Sequence, residues 1–125
     1  MLHTIQSINP YTEEINAEIE LIWETEIDHA IDQAHDAFLT WKQTTFAEKK
    51  AFFLQLADEI EADIDECARL QTIEMWMLYT ASKTGLEWTV RLIQWFADNA
   101  EQILWEKSFK TDDGLEWVEF YEPLG

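Results

Sequence analysis

The side chains suited to covalent chemistry are few in this sequence. Cys67 is the only thiol among the 125 residues, and it stands between Glu66 and Ala68 on an apolar helical pattern. Cationic neighbours favour a nucleophilic cysteine, and those of Cys67 are acidic or apolar. We therefore interpret Cys67 as a small core residue, and a single cysteine excludes an intrachain disulfide.

Two pairs match the carboxylate-x-x-histidine spacing of metal-binding helical bundles: Glu26 with His29 and Asp32 with His35. Residues three apart share a helix face, so the spacing is compatible with ligation. Bundle sites draw ligands from several facing helices, however, and both pairs fall on one predicted helix. With 26 acidic residues and three histidines, a match by chance is expected. A solvated polar face is the competing interpretation, and we predict no metal site.

Phosphate binding and calcium binding are not indicated either. Three glycines form neither a G-x-G-x-x-G nor a G-x-x-x-x-G-K motif. The acidic run over residues 58–66 lacks the central glycine of a calcium loop. The interleaved Ile60 and Ile64 fit a helix, so we interpret the acidic residues as a helix exterior. The sequence thus gives no catalytic, cofactor-binding or metal-ligating residue.

Charge and composition exclude several classes of partner. The formal net charge is -18, so clustered cations for nucleic acid or an anionic membrane are missing. A hydrophobic content of 47% and an aromatic content of 14% argue against disorder. No window reaches the apolar length of a membrane span, and the first residues lack a signal-peptide pattern. We expect one soluble cytoplasmic domain over residues 1–125.

The element predicted to organise the chain is a long helix over residues 84–104, opened by Thr84 and Gly85. Its first apolar row recurs at steps of three and four. That row contains Leu86, Val90, Ile93, Ala97, Ala100 and Leu104. A second row beside it contains Trp88, Leu92, Trp95, Phe96 and Ile103. Because this surface is wider than the stripe of a helix resting on one core, we predict a central pillar with partners on two sides.

The preceding elements are predicted from alternation, capping and periodicity. Residues 5–8 and 14–22 form a hairpin around a turn containing Asn9 and Pro10. A helix follows, capped by Thr25, with an apolar face of Ile27, Ala30, Ile31, Ala34, Phe38 and Trp41.

Two further helices and a second hairpin complete the predicted chain. Thr45 and Glu48 form a capping box that opens one helix. Its buried face contains Phe53, Leu56, Ala57, Ile60 and Ile64. Asp63 with Glu66 caps the next helix, which ends near residues 75–78. Its buried face contains Ile64, Cys67, Ala68, Gln71 or Leu70, and Met75. Residues 109–110 and 117–121 flank the turn that contains Gly114. The fold class is mainly α (α+β), with about four helices and short β-hairpins near both termini.

Four sequence stretches resemble the N-terminal quarter of the aldehyde dehydrogenase superfamily, in the succinate-semialdehyde dehydrogenase branch. They are INPYTEE with NAE at residues 16–18, AIDQAHDAFLTWKQTTFAEKKAFFLQLAD at 30–58, DECARLQTIEM at 65–75, and YEPLG at 121–125. The resemblance implies hairpins and helices that wrap a nucleotide-binding domain within a larger NAD(P)-dependent enzyme.

The resemblance also implies what these residues do not supply. The family's catalytic cysteine, general-base glutamate, cofactor lysine and glycine-rich loops lie beyond residue 125, and Cys67 does not match the catalytic cysteine. We therefore expect no cofactor in this chain, with NAD or NADP used by the parent family. The expected partner is a second copy or the remainder of the enzyme.

Several tryptophans depart from the family pattern. Trp76 replaces the glycine of an EMG motif, at a position expected to require a backbone conformation that bulky residues enter reluctantly. Trp23, Trp88, Trp105 and Trp117 stand where small or polar residues are expected. One hypothesis is an excised and engineered fragment in which aromatics close gaps or form contacts. The alternative is a divergent or truncated natural sequence with tryptophans scattered over its surface.

Two functions are compatible with the sequence. One is a non-catalytic N-terminal aldehyde dehydrogenase fragment that acts as a structural or self-associating helical module. The other is part of an active NAD(P)-dependent enzyme that oxidises a small aldehyde such as succinate semialdehyde, completed by segments outside this chain.

Overall fold

Four helices and two small hairpins make up the described chain, residues 4–124 of a computed structural model. The elements are β1 (Thr4–Ile8), β2 (Ile15–Glu20), α1 (Glu24–Trp41), α2 (Phe46–Ala62), α3 (Ile64–Met75), α4 (Tyr79–Ile103), β3 (Lys107–Lys110) and β4 (Glu116–Glu119). Each hairpin is a separate antiparallel two-stranded sheet, β1 with β2 and β3 with β4. The predicted fold class, mainly α with short hairpins near both termini, is confirmed.

The hairpins form where turn chemistry is strongest. The Asn9 side-chain oxygen accepts hydrogen bonds from the backbone N–H groups of Tyr11, at 2.9 Å, and Thr12, at 3.3 Å, which fixes the first turn. In the second hairpin Gly114 has a φ of 85°, a left-handed conformation that glycine enters freely. Strand β3 begins at Lys107, earlier than predicted, and β4 ends at Glu119, before the predicted limit of residue 121.

Helix α2 begins as the sequence predicts. The Thr45 hydroxyl accepts a hydrogen bond from the Glu48 backbone N–H at 3.2 Å, and the Glu48 carboxylate accepts one from the Thr45 backbone N–H at 2.7 Å. This reciprocal capping box satisfies two donors that the first turn would otherwise leave open. The two hydrogen bonds from Thr45 to the Glu48 carboxylate lower the pKa of that group.

The start predicted for α1 is wrong by two residues. Trp23, and not Thr25, occupies the N-cap position, and Thr25 lies inside the first turn. The Glu26 carboxylate accepts a hydrogen bond from the Trp23 backbone N–H at 3.0 Å. This hydrogen bond places the start of α1 at residue 23. Thr25 lies after that start and so cannot be the N-cap.

Asp63 occupies the predicted N-cap position of α3, but its side chain makes no capping hydrogen bond. The residue also ends α2, and its φ of -103° and ψ of 16° lie outside the extended region that a capping side chain requires. The Glu66 carboxylate accepts two hydrogen bonds from the Arg69 guanidinium and none from the backbone N–H of Asp63. The sequence therefore predicted the N-cap position of α3 correctly, but the predicted capping hydrogen bond is wrong.

Helix α4 begins at Tyr79, five residues before the predicted opening at Thr84 and Gly85. Gly85 lies inside the helix, with open space where a Cβ would be. The preceding turn is made by Trp76, which ends α3 with φ 55° and ψ 31°. This left-handed conformation confirms the expectation that position 76 has a backbone conformation that bulky residues enter reluctantly.

The core lies where α4 packs between α2 and α3, so the predicted central pillar is confirmed. Its buried apolar residues are Ala57 of α2, Ala68 of α3 and Val90 of α4. Two alanines at these positions allow the helices to approach closely. Leu70 and Met75, predicted as candidates for the inner face of α3, are exposed; Gln71 is half-buried in place of Leu70.

Candidate functional site

The sequence candidates for covalent and metal chemistry do not converge in the structure. Cys67 is half-buried on α3, beside the fully buried Ala68. The pairs Glu26 with His29 and Asp32 with His35 lie exposed along α1, and the Glu26 carboxylate is used by the helix cap. Across residues 4–124 no group of three or more His, Cys, Asp or Glu side chains is arranged to hold a metal ion.

One polar cluster escaped the sequence reasoning. The Asp65 carboxylate of α3 accepts hydrogen bonds from the Tyr79 hydroxyl, at 2.6 Å, and the Lys83 ammonium, at 2.5 Å, both on α4. Tyr79 and Lys83 lie four residues apart on one helix face, which is the only signal in the sequence. Their partner lies 14 and 18 residues away along the chain.

The electrostatics of this cluster suit a clamp between helices and not acid–base catalysis. The hydrogen bond from Lys83 lowers the pKa of Asp65, and that from Tyr79 lowers it further. The same carboxylate raises the pKa of Tyr79 above its ordinary value of 10.0. A general base requires a pKa near the working pH, so these shifts move both groups away from that role.

A shallow apolar cavity of about 260 Å³ lies between α2 and the C-terminal half of α4. Its walls include Phe46 and Phe53 from α2 and Ile93 and Phe96 from α4. An exposed ion pair between Lys50 and Asp98, at 2.8 Å, crosses its rim. The cavity is a continuation of the apolar surface of α4, with no buried polar group to orient a small ligand.

The most distinctive surface is on the outside of α4. Five large apolar side chains form what we call the α4 ridge: Trp88, Leu92, Trp95, Phe96 and Ile103. Their exposed fractions run from 46% to 64%. The rings of Trp95 and Phe96 contact edge to face with centroids 5.1 Å apart, so the middle of the ridge is ordered by aromatic packing. The second apolar row predicted from the sequence is therefore uncovered.

The total surface shows that this exposure is a property of the whole chain. Its accessible surface is 10,527 Å². A compact monomer of 14.8 kDa is expected to expose roughly 7,000 Å². The excess of about 3,500 Å² exceeds the roughly 800 Å² that each partner buries in an ordinary stable complex. The chain therefore has enough uncovered surface for one large interface or several.

Helix α1 contributes to this excess. No α1 residue is buried. Its predicted apolar face is largely open, with Ile31 exposed over 61% of its surface. Contact with the packed helices comes at its C-terminal end, where the Trp41 ring lies 5.3 Å from Phe52 and 6.4 Å from Phe53.

The first hairpin is attached to the C-terminal end of α3. The Asn16 amide donates to the Ile73 carbonyl at 3.2 Å, and the Ser7 hydroxyl donates to the Glu74 carboxylate at 2.9 Å. The rings of Tyr11 and Trp76 lie 6.0 Å apart. Trp76 thus combines an unfavourable backbone conformation with a contact to the hairpin.

Comparison with known proteins identifies the family of this chain. The model of the aldehyde dehydrogenase family matches residues 2–125. The chain belongs to the aldehyde dehydrogenase family. It is 33% identical over 100 residues to succinate-semialdehyde dehydrogenase [NADP(+)] 1 of Mycobacterium tuberculosis (strain H37Rv), covering 80% of this chain and 22% of that protein. It is 31% identical over 125 residues to succinate-semialdehyde dehydrogenase [NADP(+)] of Mycobacterium avium, covering 97% of this chain and 26% of the relative.

Solved aldehyde dehydrogenases share the fold. A succinic semialdehyde dehydrogenase from Streptococcus pyogenes in complex with NADP+ superimposes with a TM-score of 0.79 at 25% identity. That match covers 87% of this chain and 24% of the solved chain. This aldehyde dehydrogenase-family chain therefore spans about a quarter of the length of the relatives it matches.

The positions of the glycines in this family member indicate whether residues 4–124 could bind the phosphates of a dinucleotide. Gly85 lies within α4, and Gly114 forms the turn of the second hairpin. Neither lies in a loop between a strand and a helix N-terminus, the arrangement that cradles a pyrophosphate. The described residues do not fit a nucleotide phosphate, and we derive no chemistry through one.

The tryptophans that depart from the family pattern lie on the surface of this chain. Trp23, Trp76, Trp88, Trp105 and Trp117 are exposed over 49% to 67% of their surface. Two of them also make contacts within the chain, Trp76 with the Tyr11 ring and Trp88 with the Arg91 guanidinium. Among the described helices, none is long and apolar enough to cross a membrane.

Proposed function

We propose that this chain is a non-catalytic N-terminal module of an aldehyde dehydrogenase-family protein, whose role is structural and is exerted through its apolar surface. The carrying observation is the surface excess of about 3,500 Å² over a compact monomer, on a chain that matches the family over residues 2–125. Many large apolar side chains are exposed on that surface, and burying them would stabilise the module.

The polar chemistry of the described residues supports a structural role. The Asp65, Tyr79 and Lys83 cluster joins α3 to α4, and Lys50 with Asp98 joins α2 to α4. These interactions fix helices relative to one another. We further propose a cytoplasmic setting without nucleic acid or membrane partners, on the basis of the net charge of -18.

A rival function draws its support from the names of the relatives. The proteins that match from two mycobacteria are succinate-semialdehyde dehydrogenases that use NADP(+). The chain is then one part of an active NAD(P)-dependent enzyme acting on a small aldehyde such as succinate semialdehyde, and the missing segments cover the apolar surface. In that case the reaction, the cofactor and the substrate belong to the completed protein.

Reduction of NAD+ or NADP+ by the purified chain tests the proposal. With succinate semialdehyde as substrate, we expect no formation of NADH or NADPH above the rate without protein. The matched variants are Cys67→Ala and Cys67→Ser, which remove the only thiol of the chain. A rate that both variants abolish would overturn the non-catalytic assignment.

The rival requires a separate measurement. A polypeptide that carries the remaining three quarters of a related enzyme, inactive by itself, is mixed with this chain. Aldehyde oxidation that appears on mixing and is lost with Trp95→Glu would support the rival, because the exposed Trp95 lies on the surface that the added segments must cover.

A further inference from the structure

We propose that the first hairpin acts as the C-terminal cap of α3, and that β1, β2 and the last turn of α3 open and close as one unit. The capping contact is made by Asn16, which a β-bulge places on the side of the hairpin that faces α3. The result is a conformational coupling between two segments whose contacting residues lie 57 positions apart in the sequence.

The C-terminal end of α3 has little capping from its own neighbours in the sequence. The last four carbonyls of a helix lack partners within it, and a left-handed glycine or a basic side chain commonly compensates. The last turn of α3 has no basic residue, and Trp76 stands at the left-handed position with a φ of 55°. Because tryptophan enters this conformation reluctantly, the helix end depends on a partner from elsewhere in the chain.

The first hairpin supplies that partner. The Asn16 amide donates to the carbonyl of Ile73, one of the last four helical residues of α3, at 3.2 Å. The same amide lies 3.5 Å from the Ser7 hydroxyl, which donates to the Glu74 carboxylate at 2.9 Å. Ser7 and Asn16 are the two half-buried residues of strands β1 and β2. The hairpin therefore docks on α3 through this pair.

A β-bulge brings Asn16 to the docked side. Ser7 pairs with Ala17 and Ile8 pairs with Ile15, so Asn16 is an extra residue without a partner on β1. In a regular ladder Asn16 would follow Ala17 onto the opposite face, away from Ser7, because side chains alternate along a strand. The bulge removes this alternation and re-aims the amide at α3.

An aromatic contact holds the turn of the hairpin to the same helix end. The rings of Tyr11, in the turn, and Trp76 have centroids 6.0 Å apart and planes tilted by 39°. Aromatic pairs at this separation attract each other. Trp76 therefore takes part in the coupling twice, because its backbone ends α3 and its ring contacts the hairpin.

The coupled segments lie at the edge of the packed helices. No residue of β1 or β2 is buried, and Met75 and Trp76 are each 67% exposed. The residues that join α3 to α4 or to the core, Asp65 and the buried Ala68, lie in the N-terminal half of α3. Segments with few buried contacts open before the core does. The hairpin and the end of α3 therefore open together while α4 stays packed.

Native-state hydrogen exchange of the full 125-residue chain, resolved for single amides by NMR, tests the cap. Asn16→Ala should raise the exchange rate of the amides at residues 74–76 roughly fivefold, because the Ile73 carbonyl loses its partner. Asn16→Asp should raise it further, because a carboxylate then faces that carbonyl. The matched control is Gln6→Ala, which removes an exposed hydrogen bond to Glu18 within the hairpin and should leave these amides unchanged.

The coupling should also act in the reverse direction, because linkage between two segments is reciprocal. Trp76→Ala removes the ring on the α3 side. It should raise the exchange rate of the amides in β1 and β2 roughly threefold, although no hairpin residue is changed. The control is Trp105→Ala, where the tryptophan follows α4 and is 61% exposed against 67%. This control should leave hairpin exchange unchanged.

Four results would overturn the coupling. Three of them are unchanged exchange at residues 74–76 in Asn16→Ala, an equal increase there in Gln6→Ala, and unchanged hairpin exchange in Trp76→Ala. The fourth is an increase in exchange that extends equally to α2 and α4, since it would show that the variants unfold the whole chain. We expect exchange in α2 and α4 to stay at the unmodified rate in every variant.

Discussion

Helices α1 and α4 are the two longest in the chain, and they differ in what covers their apolar faces. Both carry an apolar row at helical spacing. On α4 the inner row packs against α2 and α3, with Val90 only 5% exposed. On α1 no residue is buried, and Ile31 is 61% exposed. The comparison shows that amphipathic spacing marks a face able to be buried, while burial itself depends on which segments are present.

The largest expected difference between the two helices is the loss of stability when a charge is placed on each apolar face. Val90→Asp removes a buried aliphatic side chain and buries an unpaired carboxylate, so we expect it to lower the free energy of unfolding by at least about 3 kcal/mol. Ile31→Asp on α1 should change it by less than about 0.5 kcal/mol. Urea denaturation followed by circular dichroism measures both. Similar losses from the two variants would mean that α1 is covered in solution.

The helix caps provide a smaller contrast. Thr45→Ala removes the hydroxyl that accepts the Glu48 backbone N–H of α2. We expect it to lower the free energy of unfolding by about 1 kcal/mol. Thr25→Ala is the control, because Thr25 lies within α1 and should cost nothing as a cap. If Thr25→Ala lowered the free energy of unfolding as much as Thr45→Ala, Thr25 would be the cap of α1, as predicted from the sequence.

A buried hydroxyl on α4 offers a gain of stability. Ser82 is 1% exposed, and its hydroxyl has no hydrogen-bond partner. Ser82→Ala should raise the free energy of unfolding by about 1 kcal/mol, since it removes an unsatisfied polar atom and improves helix propensity. Thr40→Ala on the exposed α1 should raise the free energy of unfolding by only a few tenths of a kcal/mol. A loss of stability on removing the Ser82 hydroxyl would show that it is hydrogen-bonded.

The polar clamp between α3 and α4 should make stability depend on pH. The pKa of Asp65 is lowered by Lys83, so its contribution is present above the ordinary value of 3.8 and is lost as the pH falls through the folded-state value. The pKa of Lys83 is raised by Asp65, so that contribution is lost only as the pH rises through a value above 10.5.

Asp65→Asn should therefore lower thermal stability slightly at neutral pH and flatten its decline in acid. The matched variant Asp32→Asn removes one carboxylate from the exposed face of α1. Melting temperatures across an acid series compare the two. An equal flattening from both variants would assign the effect to net charge and not to the clamp.

Local signals in the sequence determined most of the secondary structure. The Thr45 and Glu48 capping box fixed the start of α2, because both partners lie within one turn. The Asn9 turn fixed the first hairpin, and the apolar spacing of residues 86–104 identified a long helix with two apolar rows. The family, too, was accessible from sequence, since the resemblance extends over nearly the whole chain and the family model matches residues 2–125.

Tertiary structure decided what depends on partners distant along the chain. Helix α4 begins at Tyr79 and not at Thr84 and Gly85, and the added turn contains Tyr79 and Lys83, which both donate to Asp65 of α3. The structure also decided which of two equally apolar rows on α4 is covered. Periodicity places Val90 and Trp88 on different faces, but only the packed positions of α2 and α3 bury the first and leave the second open.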